Sequence, residues 1–311
     1  MAVIAAAALF VGCGASAPPM FLTILTGNTS GVYYPLGVAL SQVFRTEIPE
    51  ANISVQSTAA SAENMRLLEA ERGELAFTLG DVLLDAWEGN VDAGFTAPLR
   101  KLRTVAAIYP NYIQIVASAD AGVATLADLR GKRISVGAPG SGTELNARAI
   151  VAAAGMSYDD FSRVEYLSFS ESVELIKNRQ LDITLQSAGL GVASLRDLAA
   201  SVPIVVIPIP ADVVANVGRA VYQQGTIPAG TYDGQLVDVD TATIRNVLVT
   251  RDTVPDDVIY RMTKALFEHL DELAAAHAAA GEISLEDAVL NLDVPLHPGA
   301  AAYYREAGLI E

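Results

Sequence analysis

A strand-to-helix turn of one type occurs three times in this chain and constrains its fold more than any other feature. Each turn is rich in glycine and hydroxyl residues, follows an apolar run and precedes an amphipathic run; the turns span residues 26–35, 57–64 and 137–143. Free backbone N–H groups at a helix start attract an anion, and glycine lets that anion come close. The three turns therefore predict the walls of one site for a small anionic group, although Ser, Thr and Asn also cap helices that bind nothing.

Strand-like and helix-like runs alternate along two successive stretches of the chain. In the first stretch, strands are predicted at 21–25, 53–56, 75–79 and 102–108, and helices at 36–47, 62–72 and 81–87. In the second, strands are predicted at 112–118, 133–137, 164–167, 181–186 and 203–207, and helices at 143–154, 170–178 and 190–199. This alternation predicts an α/β fold in which mixed, mainly parallel sheets are flanked by helices, with ligands outside the carboxyl ends of the strands.

The pattern becomes helical after residue 254, with helices predicted from Pro255, at 285–290 and after Pro298. We expect these helices to pack on the first part of the chain. The predicted organisation is a leader at 1–19, lobe I at 20–110 plus 251–311, and lobe II at 111–250. Because no long linker separates the two lobes, we expect a pair of crossing strands to join them.

The charge balance excludes some classes of partner. The chain has 20 Lys and Arg against 36 Asp and Glu, so its formal net charge is −16. A nucleic acid or an anionic membrane surface needs a basic stripe to neutralise its phosphates, and the sequence has none. An anionic ligand must then be held by local dipoles.

The first 12 residues are almost entirely apolar and lead to Cys13, the one cysteine of the chain. This pattern is typical of a bacterial lipoprotein leader, in which the cysteine is lipidated and becomes the mature N-terminus. Ala15 and Ala17 offer an ordinary signal-peptidase site as the alternative. Both interpretations predict an exported, periplasmic protein, and the lipoprotein interpretation adds contact with a membrane through a lipid anchor on Cys13 alone.

Residues that could carry catalysis do not form a recognisable set. His269, His277 and His297 lie in the C-terminal segment without the carboxylate or cysteine partners of a metal site. Ser141 lies in a Gly-Ser-Gly stretch, but Pro139 stands where a nucleophile elbow requires glycine. The sequence therefore predicts a binding protein with no catalytic residues, metal or cofactor.

Three further polar residues are candidates for ligand contacts. Gln186 ends a predicted strand, where its amide could orient a polar ligand, and Tyr109 and Tyr112 lie where the lobes are expected to join. A Gln or Tyr at the end of a strand often only caps a turn, so both interpretations stay open.

Six motifs resemble one known family, the TAXI group of solute-binding proteins of tripartite ATP-independent periplasmic (TRAP) transporters. They are GVYYPLG (31–37), SAENMRLL (61–68), LADLRGKR (126–133), GAPGSGTE (137–144), IPAGTY (227–232) and HPGAAAYYREAG (297–308). The resemblance extends from about residue 22 to 309. It implies a two-lobed periplasmic-binding-protein fold of type II that closes over a small organic acid or amino acid and delivers it to TRAP permease subunits.

The resemblance also implies a ligand and a set of contacts. Implied ligands are glutamate, glutamine and dicarboxylates such as 2-oxoglutarate. In that case Asp81 would accept a hydrogen bond from the ligand ammonium group, and the other contacts would donate to carboxylate oxygens. The implied ligand-binding residues are Thr29, Ser30, Tyr33, Ser61, Asn64, Gly80, Asp81, Ser141, Gly142, Thr143 and Gln186.

The chain departs from the family pattern at Ala59, Ala60 and Leu79, which add apolar groups beside the expected site. These departures leave open an anion different from, or less polar than, glutamate. The alternative functions are the binding protein of an ATP-driven importer and a sensory lipoprotein for a small organic anion, because a fold does not fix its partner.

Overall fold

The computed structural model describes residues 20–311, so the predicted leader and Cys13 lie outside the described residues. The strands are β1 (Met20–Leu25), β2 (Ala51–Gln56), β3 (Leu75–Leu79), β4 (Leu102–Ser118), β5 (Arg133–Ser135), β6 (Arg163–Glu165), β7 (Ile183–Ala188), β8 (Ile204–Ile207), β9 (Gln223–Ile227) and β10 (Val239–Arg251). The helices are α1 (Tyr33–Glu47), α2 (Ser61–Glu69), α3 (Gly80–Glu88), α4 (Gly142–Ala153), α5 (Phe169–Lys177), α6 (Ala193–Ser201), α7 (Ala211–Asn216), α8 (Asp256–Glu268), α9 (Leu270–Ala276) and α10 (Pro298–Glu306).

All ten strands belong to one hydrogen-bonded sheet. Its order is β2-β1-β3-β10-β4-β7-β5-β6, with β8 paired to β4 and β9 paired to β10. The outer pairs, β1 with β2 and β3 and β5 with β6 and β7, are parallel, whereas every pairing of β4 and β10 is antiparallel. This arrangement confirms the predicted α/β class with a mixed sheet between helices.

Two long strands join the two ends of the sheet. The β4 strand pairs with β10 along much of its length, then continues to pair with β7 and β8. The sequence predicted two separate strands here, at 102–108 and 112–118, but Pro110 lies inside one continuous strand. Because Pro110 has no N–H to donate, the ladder is irregular beside it, with a register shift between Arg245 and Val247. The positions of the lobe boundaries remain a prediction.

The core lies on both faces of the sheet. One buried cluster joins α1, α8 and α10 to one face, with Phe44, Phe77, Tyr109 and Tyr304 among its large members. The other joins α2, α3 and α4 to the opposite face, with Met65 as a fully buried member. Each cluster includes residues from both lobes, because the strands that cross between the lobes contribute side chains to both faces.

The C-terminal helices pack on the first part of the chain, where α8 contacts α1 and α10. A single 3₁₀ turn at Asp287–Val289 replaces the helix predicted at 285–290. His297 is fully buried; its Nδ1 accepts the N–H of Gly299 at 3.1 Å and its Nε2 lies 3.0 Å from the carbonyl oxygen of Val254. This histidine therefore has a structural role at the start of α10. In the described part of the chain no helix is long and apolar enough to cross a membrane.

Gly299 provides a test of this packing. A Cβ added at Gly299 lies 2.1 Å from the carbonyl oxygen of Asp256 and 2.8 Å from the nitrogen of Tyr260, both in the backbone of α8. Backbone cannot rotate out of the way, so Gly299→Ala is expected to lower the free energy of unfolding by about 3 kcal/mol, at the upper end of overpacking costs. Urea unfolding followed by circular dichroism measures this change. Gly281→Ala is the matched control, because no atom lies within 4 Å of its added Cβ; equal stabilities of the two variants would contradict the packing argument.

Candidate functional site

A cavity of about 80 Å³ lies between the lobes, where the carboxyl ends of several strands meet the starts of four helices. That volume holds a few water molecules or a small solute. The lining residues are Gly27, Asn28, Gly31, Val32, Tyr33, Thr58, Ala59, Ala60, Ser61, Leu79, Tyr109, Asn111, Ala138, Ser141, Gly142, Thr143, Ser168, Phe169, Ser187 and Ala188. The three predicted turns all contribute to this wall.

The first turn is organised by Asn28. Its side-chain oxygen accepts the N–H and the hydroxyl of Ser30, at 2.9 and 2.6 Å, and its carbonyl oxygen accepts the N–H of Gly31. The Ser30 hydroxyl is therefore occupied within the turn, and neither Ser30 nor Thr29 lines the cavity. Tyr33 does line it.

Tyr33 is held firmly at the start of α1. Its ring stacks on Phe77 with 5.0 Å between centroids, and its hydroxyl donates to Asn246 Oδ1 at 2.6 Å. Burial is the largest cause that raises the pKa of Tyr33, so this side chain stays neutral. Tyr33 therefore lines the cavity as a neutral side chain.

The second turn carries a strained residue. Ala60, at the N-terminus of α2, has a φ of 73°, a region that residues with a Cβ rarely adopt. Its N–H donates to the hydroxyl of Thr58 at 2.9 Å, and the N–H of Ala59 donates to Glu63 Oε2 at 2.7 Å. These bonds hold the turn so that Ser61, the first residue of α2, lines the cavity.

Asn64 supports this turn from below and does not line the cavity. It is fully buried, and its amide donates to the carbonyl oxygens of Thr26 and Phe77 at 2.7 and 2.9 Å. Its side-chain oxygen accepts the hydroxyl of Thr58 at 2.7 Å. All of these partners are protein groups, so Asn64 ties the first two turns together.

Lobe II contributes the starts of α4 and α5. Ser141 caps α4 by accepting the N–H of Glu144 at 3.1 Å, and Gly142 and Thr143 follow it along the wall. Ser168 caps α5 in a capping box with Glu171, whose carboxylate accepts the Ser168 hydroxyl at 2.6 Å. The pattern Ser168-x-x-Glu171 is the signal by which this fourth turn could have been found from the sequence.

Four helix N-termini thus meet at one cavity, since Val32, Ala60, Ser141 and Ser168 occupy the N-cap positions and all line it. Neither α1 nor α2 has a side-chain cap, and in the first turn of α2 the N–H of Glu63 donates to the carbonyl oxygen of Gly140. Among the residues described, no Lys, Arg, His, Asp or Glu lines the cavity. The site is therefore positive through backbone dipoles alone, which suits a small anion.

Tyr109 adds a polar group without a partner. It lines the cavity and is fully buried, and its hydroxyl has no hydrogen-bond partner among residues 20–311. A buried hydroxyl without a partner costs about 1–3 kcal/mol, so an orphan at a cavity wall points to a ligand that completes it. Asn111 and Ser187 lie on the same wall; sequence reasoning missed both, because they come from the crossing strand and from β7, far apart in the chain.

Besides Thr29, Ser30 and Asn64, three more of the predicted residues lie outside the cavity lining. Gln186 is fully buried, and its side-chain oxygen accepts the hydroxyl of Ser194 at 2.6 Å. Gly80 lines a separate groove beside Arg219 and Arg245. Asp81 is fully buried outside the cavity lining, where Asn146 and Tyr222 donate to its Oδ2. Of the predicted set, the structure brings Tyr33, Ser61, Ser141, Gly142 and Thr143 to the cavity.

The two lobes touch across this site. The N–H of Glu63 in α2 donates to the carbonyl oxygen of Gly140 at 3.2 Å, and Arg148 donates to the carbonyl oxygen of Asp92 at 2.8 Å. A Cβ added at Gly142 lies 2.7 Å from Ser61 Oγ. The structure is therefore a closed arrangement in which the cavity is covered from both sides. Residues 20–311 contain no group of three or more His, Cys, Asp or Glu side chains placed to hold a metal ion.

Comparison with protein families matches residues 24–308 to the NMT1-like family. The chain belongs to this family. The match covers both lobes and all four helix starts at the cavity.

Solved structures share the fold at low sequence identity. The alkanesulfonate-binding protein SsuA from Xanthomonas axonopodis pv. citri, bound to MOPS, is 15% identical with a TM-score of 0.53, over 95% of this chain and 96% of that chain. PhnD1 from Prochlorococcus marinus, in complex with methylphosphonate, is 9% identical with a TM-score of 0.60, over 94% and 100%. A binding protein component of an ABC phosphonate transporter from Pseudomonas aeruginosa is 11% identical with a TM-score of 0.54, over 86% and 82%. These similarities confirm the two-lobed periplasmic-binding-protein fold.

The comparisons also correct the sequence-based assignment. The family they show is the NMT1-like family in place of the TAXI group, and the similar structures are sulfonate- and phosphonate-binding proteins. The TRAP permease and a preference for glutamate or dicarboxylates therefore lose their basis. The motifs at the turns were assigned to the wrong group because strand-to-helix turns rich in glycine and hydroxyl residues do not distinguish one transport system from another on the same fold.

Proposed function

We propose that this member of the NMT1-like family is an exported solute-binding protein that captures a small organic monoanion and delivers it to an ATP-driven importer. The observation that carries the proposal is the convergence of four helix N-termini on a cavity without charged side chains. Such a site binds its ligand and has no residue to transform it. Closure of the lobes over the ligand would produce the shape that the permease recognises.

The charge of the ligand follows from the lining. The partial positive charge of each helix N-terminus falls off within one turn, so the four termini act together on a single anionic head, and no Arg or Lys lines the cavity to pair with a second, separate anionic group. An amino acid would in addition need an acceptor for its ammonium group, and no carboxylate lines the cavity. A single anionic head, such as a sulfonate, a singly ionised phosphonate or a carboxylate, is therefore the best match.

The apolar part of the cavity wall indicates the chemistry of the uncharged part of the ligand. Val32, Ala59, Leu79, Phe169 and Ala188 present apolar surface beside the helix starts. A short alkyl group would bury itself there at a gain of about 0.8 kcal/mol per methylene. The small cavity limits that group to a few carbon atoms, which agrees with the less polar anion left open by Ala59, Ala60 and Leu79.

The class of importer is inferred from solved structures of the same fold. The solved structures of this fold include an alkanesulfonate-binding protein bound to MOPS, PhnD1 in complex with methylphosphonate, and a binding protein component of an ABC phosphonate transporter. The lobes of this chain offer the same kind of closing surface to a permease. Delivery to an ATP-driven permease, rather than sensing, is therefore the transport role that we propose.

Binding is tested by titration calorimetry with methanesulfonate, ethanesulfonate, butanesulfonate, methylphosphonate, propionate, glutamate and succinate at pH 7.5. We expect a C2–C3 monoanion to bind at least about tenfold more tightly than glutamate or succinate, which corresponds to about 1.4 kcal/mol. Choline, a cation of similar size, serves as the control. Preferential binding of glutamate or succinate would overturn the monoanion proposal, and absence of binding by every anion would overturn the anion site itself.

The importer is tested by uptake of the radiolabelled ligand into cells that express the protein. Uptake through an ATP-driven permease is expected to stop when orthovanadate blocks ATP hydrolysis. It is expected to continue when an uncoupler removes the ion gradient while ATP is maintained. Deletion of the gene is the control for dependence on this protein. Uptake that is lost with the uncoupler and survives vanadate would contradict an ATP-driven importer.

A further inference from the structure

A buried chain of hydrogen bonds runs from the cavity wall to Asp81. Asn111 donates to the hydroxyl oxygen of Ser187, which in turn donates to Asn146 Oδ1 at 2.6 Å. The amide of Asn146 donates to Asp81 Oδ2 at 2.7 Å, and the hydroxyl of Tyr222 donates to the same oxygen at 2.7 Å. Asn111 and Ser187 line the cavity, whereas the other three residues do not. This series of hydrogen bonds therefore connects the cavity to the carboxyl group of Asp81, which lies outside the cavity.

The last hydrogen bond of this series, from Asn146 to Asp81, crosses the predicted boundary between the lobes. Asp81 lies in the first turn of α3, in the predicted lobe I, and its two side-chain donors, Asn146 and Tyr222, lie in the predicted lobe II. A second contact lies beside it: Arg219 of lobe II donates to the carbonyl oxygen of Asp81 at 3.2 Å and to the carboxylate of Asp85 at 3.0 and 3.1 Å. Opening of the lobes would break all of these bonds together.

Asp81 is a buried carboxyl group with hydrogen-bond partners at only one of its two oxygens. It is 1% exposed, and its Oδ1 has no hydrogen-bond partner among the residues that the structure describes. A carboxylate that leaves water and gains bonds at only one oxygen loses hydration that its partners do not fully replace. Closure of the lobes is therefore expected to cost more when Asp81 is ionised than when it is protonated.

We infer that Asp81 is a positioning residue that links closure of the lobes to the state of the ligand site, so that ligand affinity depends on whether Asp81 carries a proton. Through Asn146, the carboxyl group fixes the direction of every donor as far as Asn111. The donors of the cavity wall keep the same orientation whether Asp81 is ionised or protonated. Protonation of Asp81 changes instead the balance between the open and the closed form, in favour of the closed form. The inference rests on the proposed function, because it concerns the affinity of that same site.

The direction of the pH effect follows from the groups that face Asp81. Burial is the largest influence and raises the pKa of Asp81 in the closed form; Tyr222 and Arg219 oppose this increase, and Asp85 adds to it. In the open form the carboxyl group is hydrated and its pKa returns toward the ordinary range. The closed form therefore binds the proton more tightly, so closure is favoured as the pH falls toward the open-form pKa and is disfavoured as the pH rises through the closed-form pKa.

The test uses ethanesulfonate, whose charge does not change in the pH range studied, and the full chain with Cys13→Ser. We expect its affinity to increase as the pH falls from 7.5 to 5, by at most about tenfold for each pH unit below the pKa of Asp81 in the closed form. Asp81→Asn keeps the size of the side chain and removes the group that titrates. The affinity of this variant for ethanesulfonate is therefore expected to be constant over this pH range. Asp120→Asn, at an exposed residue of lobe II, is the matched control and should retain the wild-type pH profile.

A ligand-free measurement separates failure of this inference from failure of the proposed function. Cys13→Ser leaves the chain without cysteine, so spin labels at Asn52→Cys in edge strand β2 and at Ser162→Cys, directly before edge strand β6, report the distance between the lobes. We expect the population with the short distance to grow as the pH falls, and to stay constant when Asp81→Asn is added. A pH-independent distance in the parent, or the same pH dependence in both proteins, would overturn the inference whether or not any anion binds.

Discussion

Gly142→Val is expected to weaken ligand binding by about 100-fold while the free energy of unfolding changes little. Gly142 is the first residue of α4 and lies in the closed cleft, where an added Cβ is 2.7 Å from both Leu79 Cδ1 and Ser61 Oγ and 3.0 Å from Ser61 Cβ. Both of these residues belong to lobe I. A valine side chain therefore separates the lobes and also fills part of the cavity.

The magnitude follows from the cost of overpacking, about 3 kcal/mol at its upper range, which corresponds to a factor of about 100 in affinity. Stability is spared because lobe I can move away in the unliganded protein. Calorimetric titration gives the affinity, and small-angle scattering with ligand should show that the variant fails to become compact.

The control for Gly142→Val is Ala152→Val, an exposed substitution on the same helix that places the same side chain away from the cleft. It should retain wild-type affinity. If Gly142→Val binds as tightly as Ala152→Val, the contact between α4 and α2 is not part of the ligand-bound form. A large loss of stability in Gly142→Val alone would show instead that the residue is needed for folding.

The sequence was most informative where local chemistry decides the structure. The turn before α2 was predicted from its Ser, Thr and Asn residues, and Ser61 lines the cavity as expected. Within the same turn, however, Thr58 and Asn64 use their polar atoms on each other and on backbone carbonyl oxygens. Composition identifies a turn that can bind an anion, but the hydrogen-bond partners decide which residues remain free to do so.

The sequence was least informative where distant segments meet. Asn111 and Ser187 are 76 positions apart and become neighbours only because the crossing strand β4 pairs with β7. Strand β10 was not predicted, although it alternates in burial along part of its length, and it provides the second crossing between the lobes. Asp81 shows the same limit: its position at a strand end suggested a ligand contact, but Tyr222, 141 positions away, occupies its carboxylate.

Tyr109→Phe is expected to weaken binding of the anion by about tenfold or more and to leave the free energy of unfolding equal or slightly higher. The hydroxyl of Tyr109 is buried at the cavity wall and has no partner among the described residues, so in the unliganded protein its removal breaks no hydrogen bond. In the complex it would donate to the anion, and a hydrogen bond to a charged group contributes about 1.5–3 kcal/mol. Removal of the Tyr109 hydroxyl should therefore lower the affinity for the anion without lowering the free energy of unfolding.

Tyr304→Phe is the matched control, because the hydroxyl of Tyr304 is equally buried but donates to the carbonyl oxygen of Val105 at 2.8 Å, away from the cavity lining. Its loss leaves a buried carbonyl oxygen without that donor, so stability should fall by about 1 kcal/mol or more while affinity stays at the wild-type value. Titration calorimetry and urea unfolding of the two variants provide the comparison. If Tyr109→Phe loses stability and keeps its affinity, the hydroxyl has a protein or water partner, and the ligand must be held by the helix N-termini without it.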